Sequence, residues 1–373
     1  LMAHLGYDPP LKQAVQDVTR HIAYIKAERN LPGCSVALVH GNEVVWTEGF
    51  GLADHSRGIP ASPRSVYKIG SLTKLFTASL LMVMREEGMV DLDNPLSQYV
   101  PTVRVINPFP DPQPLTFRQV ASHMGGITTN VPLGEKAAEP DANTRELLRW
   151  LRDSELVVPP MSQYHYSNVG YAVLGHVLSV IGGKPYRRLL RHRIIDPLGL
   201  RDTTFEMKDV KKDRLAIGYL PYGDEESGNG RPARTAIHQD AGIRAPVGGL
   251  YSSVLDLAKF VSWQFYKGAR APDRPLGTTA LREMHAPVAV ERDWSGGTAI
   301  GWRVGIISGF GYIGHMGGVP GYSSEIIAIP ELKLGVIALT NMDATVGGIC
   351  WGALARLIPL YAQRLTAPVA EEE

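Results

Sequence analysis

At 373 residues the chain is long enough for two or three compact units and a large buried core. Its 44% hydrophobic and 20% charged residues are those of an ordinary globular protein. A formal net charge of +1, from 38 basic and 37 acidic side chains, provides no field to steer nucleic acid or an acidic membrane surface, and both partner classes are set aside.

No apolar run reaches the length needed to span a bilayer: Arg85 closes Leu75–Met84 and Arg356 closes Val346–Ala355. The N-terminal stretch carries Asp8, Lys12, Asp17, Arg20, Lys26, Glu28 and Arg29, hence no signal-peptide core, and a cytoplasmic location is expected unless a leader has been removed. Leu11, Val15, Val18, Ile22 and Ile25 fall on one helical face, and Asn30, Pro32 and Gly33 stop that helix. Ser35–Val39 and Glu43–Glu48 read as strands joined in a hairpin through Gly41-Asn42. A long helix is predicted from about Ser71 to near Gly88, carrying Leu75, Leu80, Leu81 and Met84.

Pro108, Pro110, Pro112 and Pro114 punctuate a loop in a helical, loop-rich middle, and Val169–Ile181 reads as a helix stopped by Gly182-Gly183. Tyr222–Arg234 is polar and glycine-rich, the pattern of a surface loop. Strand character returns at Ala299–Val304, Tyr312–His315, Ser324–Ile329 and Gly335–Thr340, the last two joined tightly around Glu331–Lys333. A final helix is predicted over about Val346–Arg364, before the acidic tail Glu371–Glu373. Strands at both ends with helices between predict an α+β chain. One sheet unit would be built from 1–85 and 246–373, with 86–245 a mostly helical insertion. The two cysteines, Cys34 and Cys350, have neither zinc-type nor C-x-x-C spacing. Two free buried thiols are the default, with a disulfide between them left open.

Ser71-Leu72-Thr73-Lys74 places a hydroxyl and an amine three residues apart, on one face of a helix. A serine is a poor nucleophile until something takes its proton, and a lysine does so only when desolvation or positive potential lowers its own pKa. The N-terminal end of a helix supplies such potential. The pattern alone is weak: Ser65-Val66-Tyr67-Lys68 repeats it ahead of the helix, and an N-cap serine would explain Ser71 equally well.

Two further motifs add weight. Tyr166-Ser167-Asn168 lies in a loop before a helix. There a tyrosine beside a lysine can shuttle a proton, and an asparagine can bind a substrate carbonyl and hold the lysine. His315-Met316-Gly317-Gly318 ends a late strand. The histidine there can add hydrogen bonding or positive charge, and the small Gly317 and Gly318 let the Gly318 backbone approach as an oxyanion donor paired with the Ser71 N–H. The tetrapeptide also occurs at His123–Gly126, where it is expected to build a turn.

With these three motifs in order, the sequence resembles the serine β-lactamase and penicillin-binding-protein superfamily, in its class C branch, which includes D-peptidases and carboxylesterases. The resemblance runs through Tyr67–Ala78, Glu87–Pro101, Leu115–Ile127, Tyr166–Phe205, Val247–Phe260 and Gly314–Asn341. It implies a β-lactamase-like antiparallel sheet flanked by helices, with the site in the cleft against the helical insertion. It further implies Ser71 as nucleophile, Lys74 and Tyr166 as acid/base groups with the first proton acceptor undecided, and Asn168 touching substrate. Ser71 and Gly318 would supply the oxyanion hole. No metal or other cofactor is expected.

One departure bears on substrate. Where many relatives carry hydroxyl side chains that help bind a substrate carboxylate, this chain has Met316 and Gly318. That favours a small neutral ester, or an amide without a nearby carboxylate, unless Arg244 or Arg303 compensates. The reading is therefore a carboxylesterase or broad acyl hydrolase, with a β-lactamase or D-amino-acid-specific peptidase as the alternative and a non-catalytic scaffold as the third. Tyr222–Arg234 and the loop at Pro108–Pro114 are the expected walls of the acyl pocket. No G-x-S-x-G elbow, H-E-x-x-H or P-loop is present.

Overall fold

The computed structural model describes residues 8–131, 142–220, 241–343 and 346–366. Its strands are β1 Gly33–His40, β2 Glu43–Asp54, β3 Ile59–Pro60, β4 Tyr67–Lys68, β5 Tyr251–Ser252, β6 Ala289–Val290, β7 Gly296–Thr298, β8 Arg303–Ile307, β9 Phe310–Val319, β10 Tyr322–Ile329 and β11 Leu334–Thr340. Its helices are α1 Pro9–Glu28, α2 Thr73–Glu86, α3 Leu96–Tyr99, α4 Phe117–Ala121, α5 Ala142–Arg152, α6 Asn168–Gly182, α7 Tyr186–Leu190, α8 Ala245–Gly248, α9 Val254–Gln264, α10 Thr278–His285 and α11 Ile349–Thr366. Nine strands form one antiparallel sheet in the order β3-β2-β1-β11-β10-β9-β8-β7-β6, so early and late parts of the chain meet where β1 pairs with β11.

The central strands read as unbroken apolar runs because both faces of the sheet are covered. Side chains alternate along a strand. In β11, Ile337 and Leu339 join the core shared with α2 and α9, whereas Leu334, Val336 and Ala338 pack toward α1 and α11. The stripe Leu11, Val15, Val18, Ile22 and Ile25 is buried as its spacing predicts. Helix α2 is enclosed on all sides, with Phe76 stacked on Phe260 at 4.3 Å, as a helix running through the middle of a core must be.

Some elements differ from expectation. Ser71 stands in a short 3-10 turn, Gly70–Leu72, and the α-helix begins only at Thr73. Of Ala299–Val304 only the last two residues enter β8, because Ala299 N–H donates to the Trp302 carbonyl at 2.8 Å and closes a tight turn. The short strands β6 and β7 carry too little apolar alternation to be seen in the sequence. Cys34 and Cys350 are both free and buried. The expected loop at Tyr222–Arg234 and the acidic tail lie outside the described residues. No helix among the described residues is long and apolar enough to cross a membrane.

Candidate active site

The 3-10 turn that carries Ser71 is wedged between α2 and strand β9. Gly317 in β9 faces it so closely that a Cβ there would lie 2.2 Å from the Ile69 carbonyl oxygen and 2.3 Å from Ser324 Oγ. Ser324 Oγ in turn donates to the Ile69 carbonyl at 2.8 Å. Only glycine allows this approach. A Cβ on Gly318 would meet nothing within 4 Å, so the next residue turns into open space beside the turn. The Ser71 and Gly318 backbones thereby flank one cleft of about 460 Å³, lined also by Tyr164, Tyr166, Arg303 and His315.

Lys74 lies one turn into α2 and is fully buried. Its Nζ donates to Ser71 Oγ at 3.0 Å and to the Val247 carbonyl at 3.1 Å, and sits 4.8 Å from the centre of the Tyr166 ring. No carboxylate among the described residues pairs with it. Burial therefore lowers its pKa from 10.5 to about 7. The Tyr166 hydroxyl donates to Ser71 Oγ at 2.8 Å. Burial raises that phenol to about 12. One oxygen is thus held between an amine about half protonated at neutral pH and a firmly protonated phenol.

Tyr166 is held by its neighbours. Ser167 caps α6, its Oγ accepting from Gly170 N–H at 2.8 Å and donating to the Thr128 carbonyl at 2.7 Å. Thr129 Oγ1 donates to the Tyr166 carbonyl at 2.8 Å. His315 projects from β9 into the cleft, with Nδ1 2.5 Å from the Met316 carbonyl oxygen. Burial, reinforced by the charge on Lys74, pulls its pKa to about 4. His315 is therefore a neutral hydrogen-bonding group near neutral pH, and the alternative of a positive charge there drops out.

Two expectations need correcting. Asn168 is not among the residues lining the Ser71 cleft. Its amide donates to Asn130 Oδ1 at 2.8 Å, and the Val247 carbonyl occupies the lysine-holding role expected of it. Pro112 and Pro114 line a separate cavity of about 420 Å³ together with Leu96, Val103 and Leu115, so that loop is no wall of the cleft. The second S-x-x-K, at Ser65–Lys68, is structural: Ser65 Oγ accepts from Ser62 N–H at 3.0 Å, and Lys68 is in β4.

Sequence reasoning passed over several residues near the site. Tyr164 and Asp343 line the cleft, and His123 packs 4.4 Å from Tyr166, ring centre to ring centre. Tyr164 and Asp343 carry no pattern that would have marked them. His123 had one, the repeated His-Met-Gly-Gly. Arg303 also lines the cleft, but its guanidinium is hydrogen-bonded to Glu291.

A family model described as Beta-lactamase matches residues 18–354. Among curated proteins, human beta-lactamase-like 1 is 29% identical over 341 residues, covering 89% of this chain and 65% of that protein. Unguisins hydrolase ungD of Aspergillus violaceofuscus is 27% identical over 349 residues, covering 86% of this chain and 60% of its own length. The chain thus spans less than two thirds of either relative. Among solved structures, the octameric penicillin-binding protein homologue from Pyrococcus abyssi matches with TM-score 0.75 at 27% identity, covering 93% of this chain and 77% of that one. With the match running from the first helix into the last, across a sheet of this topology, the chain belongs to the β-lactamase family, within the serine β-lactamase and penicillin-binding-protein superfamily.

Proposed function

We propose that this chain is a serine hydrolase that acts through an acyl-enzyme on Ser71 and that its substrates are neutral carboxylic esters. The observation that carries the reading is the placement of Ser71 Oγ within hydrogen-bond reach of both Lys74 Nζ and Tyr166 OH. With a pKa near 7, Lys74 is about half unprotonated at neutral pH, so it rather than Tyr166 takes the first proton. In that state the Ser71 hydroxyl donates to Nζ instead of accepting from it.

Ser71 Oγ attacks the ester carbonyl carbon as its proton passes to Lys74. The tetrahedral oxyanion is held by the backbone N–H groups of Ser71 and Gly318. As the C–O bond breaks, the departing alkoxide takes the Tyr166 proton, and Lys74 reprotonates the phenol. Water then attacks the acyl carbon, its proton passing by the same groups in reverse, and releases the acid and free Ser71.

Charge in the cleft supports an ester over a β-lactam or a peptide C-terminus. Asp343 lines the cleft, Arg303 is already engaged by Glu291, and His315 is neutral, so among the residues lining the cleft a substrate carboxylate would meet no cation without a carboxylate partner. The buried Lys74 is committed to Ser71 and the Val247 carbonyl. The hydrolase named among the relatives supports the reaction class and leaves the acyl group open.

The test is whole-protein mass spectrometry after treatment with a fluorophosphonate and, separately, a penicillin, with peptide mapping and turnover of p-nitrophenyl butyrate. The expected result is one fluorophosphonate adduct on Ser71, absent in Ser71→Ala, whose ester turnover is abolished with the fold retained. Unlabelled, inactive, folded protein would move the non-catalytic scaffold to first place. Efficient penicillin or D-peptide cleavage with poor ester cleavage would reverse the substrate ranking.

A further inference from the structure

None of the proton transfers above uses His123, yet its imidazole packs directly against the Tyr166 ring. It follows α4 with φ at 60°, a left-handed conformation that Asn or Gly adopts more readily than His. The side chain is only 5% exposed. Its Nδ1 accepts the Ser167 backbone N–H at 3.0 Å. An accepting Nδ1 carries no proton, so the neutral ring holds its proton on Nε2, and that buried nitrogen has no hydrogen-bond partner. The ring lies 4.4 Å from Tyr166, 5.0 Å from Tyr171 and edge-on to Tyr164 at 5.7 Å, all between centroids.

The turn around His123 also grips the segment that leads to Tyr166. His165 N–H donates to the His123 carbonyl at 2.9 Å, Met161 N–H to Met124 at 2.7 Å and Val157 N–H to Gly126 at 2.9 Å. A core residue chosen only for packing would not be expected to leave a buried N–H orphaned, since a phenylalanine would fill the space without that penalty. Burial holds the ring neutral, and the nearby charges of Lys74 and Arg303 act in the same direction. Protonation would turn Nδ1 into a donor aimed at the Ser167 N–H.

We propose that His123 is a positioning residue for Tyr166: through the Ser167 amide and the face of its ring, it sets the phenol at hydrogen-bond distance from Ser71. This rests on the acyl-enzyme reading for its effect on rate, but its geometric content stands apart from that reading.

Three variants divide the two contacts. His123→Asn keeps an acceptor at the Nδ1 position and suits the positive φ but loses the ring. His123→Phe keeps a ring and loses the acceptor, and His123→Ala loses both. Crystal structures of wild type and variants report the Tyr166 OH to Ser71 Oγ distance, and ethyl butyrate, an alkyl ester whose departing alkoxide needs the Tyr166 proton, reports kcat and KM. In His123→Ala the phenol is expected to withdraw beyond about 3.5 Å. Its kcat is expected to fall about 10- to 100-fold with KM changed less than about threefold. His123→Asn is expected to recover most of the lost kcat.

A phenol still seated on Ser71 with kcat intact in His123→Ala would overturn the proposal. So would an Asn variant no better than Ala. Should His123→Ala fail to fold, Asn against Phe decides by the same distance and rate. A wild-type protein that turns over no ester would remove the proposed function, while the crystallographic distance would still decide the role of His123.

Discussion

The Tyr166 hydroxyl donates to Ser71 Oγ across 2.8 Å, although 95 residues separate the two in the chain. Ser71 is set by the 3-10 turn ahead of α2, and Tyr166 by the segment that the His123 turn and the Ser167 cap hold in place. The two supports are independent of each other. The acid/base properties of the site therefore depend on how they are packed together, and each can be perturbed separately.

The pH dependence should show a single limb. The working form of Lys74 is the free amine, whose pKa is about 7, so kcat/KM is expected to fall about tenfold for each pH unit well below that value. No alkaline limb should appear up to about pH 10, because Tyr166 keeps its proton until about 12. A kcat/KM profile with p-nitrophenyl butyrate checks this. An acid limb near pH 4 would point to a carboxylate or to His315 as the base instead.

Tyr166→Phe should discriminate between leaving groups. An alkyl ester needs a proton on its departing alkoxide, and its turnover should fall about 10²- to 10⁴-fold. A p-nitrophenyl ester departs without one, so its acylation rate should fall far less. Equal losses for both esters, measured in single turnover, would assign the phenol a structural role only.

Lys74 should be a stability liability below its unfolded pKa. Sign follows from proton counts: between about pH 7 and 10.5 the unfolded chain holds a proton on this lysine that the folded chain does not, so stability rises with pH across that window. Lys74→Met, which fills the same buried space without a charge, is expected to be inactive yet more stable at pH 7 by roughly 2–4 kcal/mol. The gain should shrink toward pH 10, as read from thermal melts across that range.

Adjacent glycines should respond oppositely to one methyl group. Gly317→Ala would drive a Cβ into the Ile69 carbonyl and Ser324 Oγ, pushing β9 off the nucleophile turn. The expected cost is about 1–3 kcal/mol of stability, with a loss of about 10²-fold or more in kcat as the oxyanion donors separate. Gly318→Ala meets open space and should change stability by less than about 0.5 kcal/mol. Melting curves and kcat for the pair settle it, and equal tolerance at both positions would contradict the tight packing of β9.

Much of this was legible in local pattern. The stripe from Leu11 to Ile25 buries a face set by the helical period, and β1, β10 and β11 are short apolar runs bounded by turn residues; both are patterns among neighbours in sequence. Ser71 and Lys74 were readable for the same reason, since three residues along a tightening helix bring their side chains together. Asn168 misled because its motif fixes only its place at the start of α6, and the amide then found Asn130, a partner that no spacing encodes. The Pro108–Pro114 loop misled because proline marks a loop without saying which cavity it will face.

What lay in the order of residues alone, then, was the set of elements and the candidate residues Ser71, Lys74 and Tyr166. Their chemistry was decided by the tertiary fold. Lys74 is an ordinary amine until burial without a carboxylate lowers its pKa, and Gly317 is an ordinary small residue until β9 is pressed against Ile69. His123 looked like a duplicated turn motif until the segment carrying Tyr166 closed over it. Desolvation, close backbone approach and long-range hydrogen bonds depend on which distant segments end up adjacent, and no local period in the sequence encodes that.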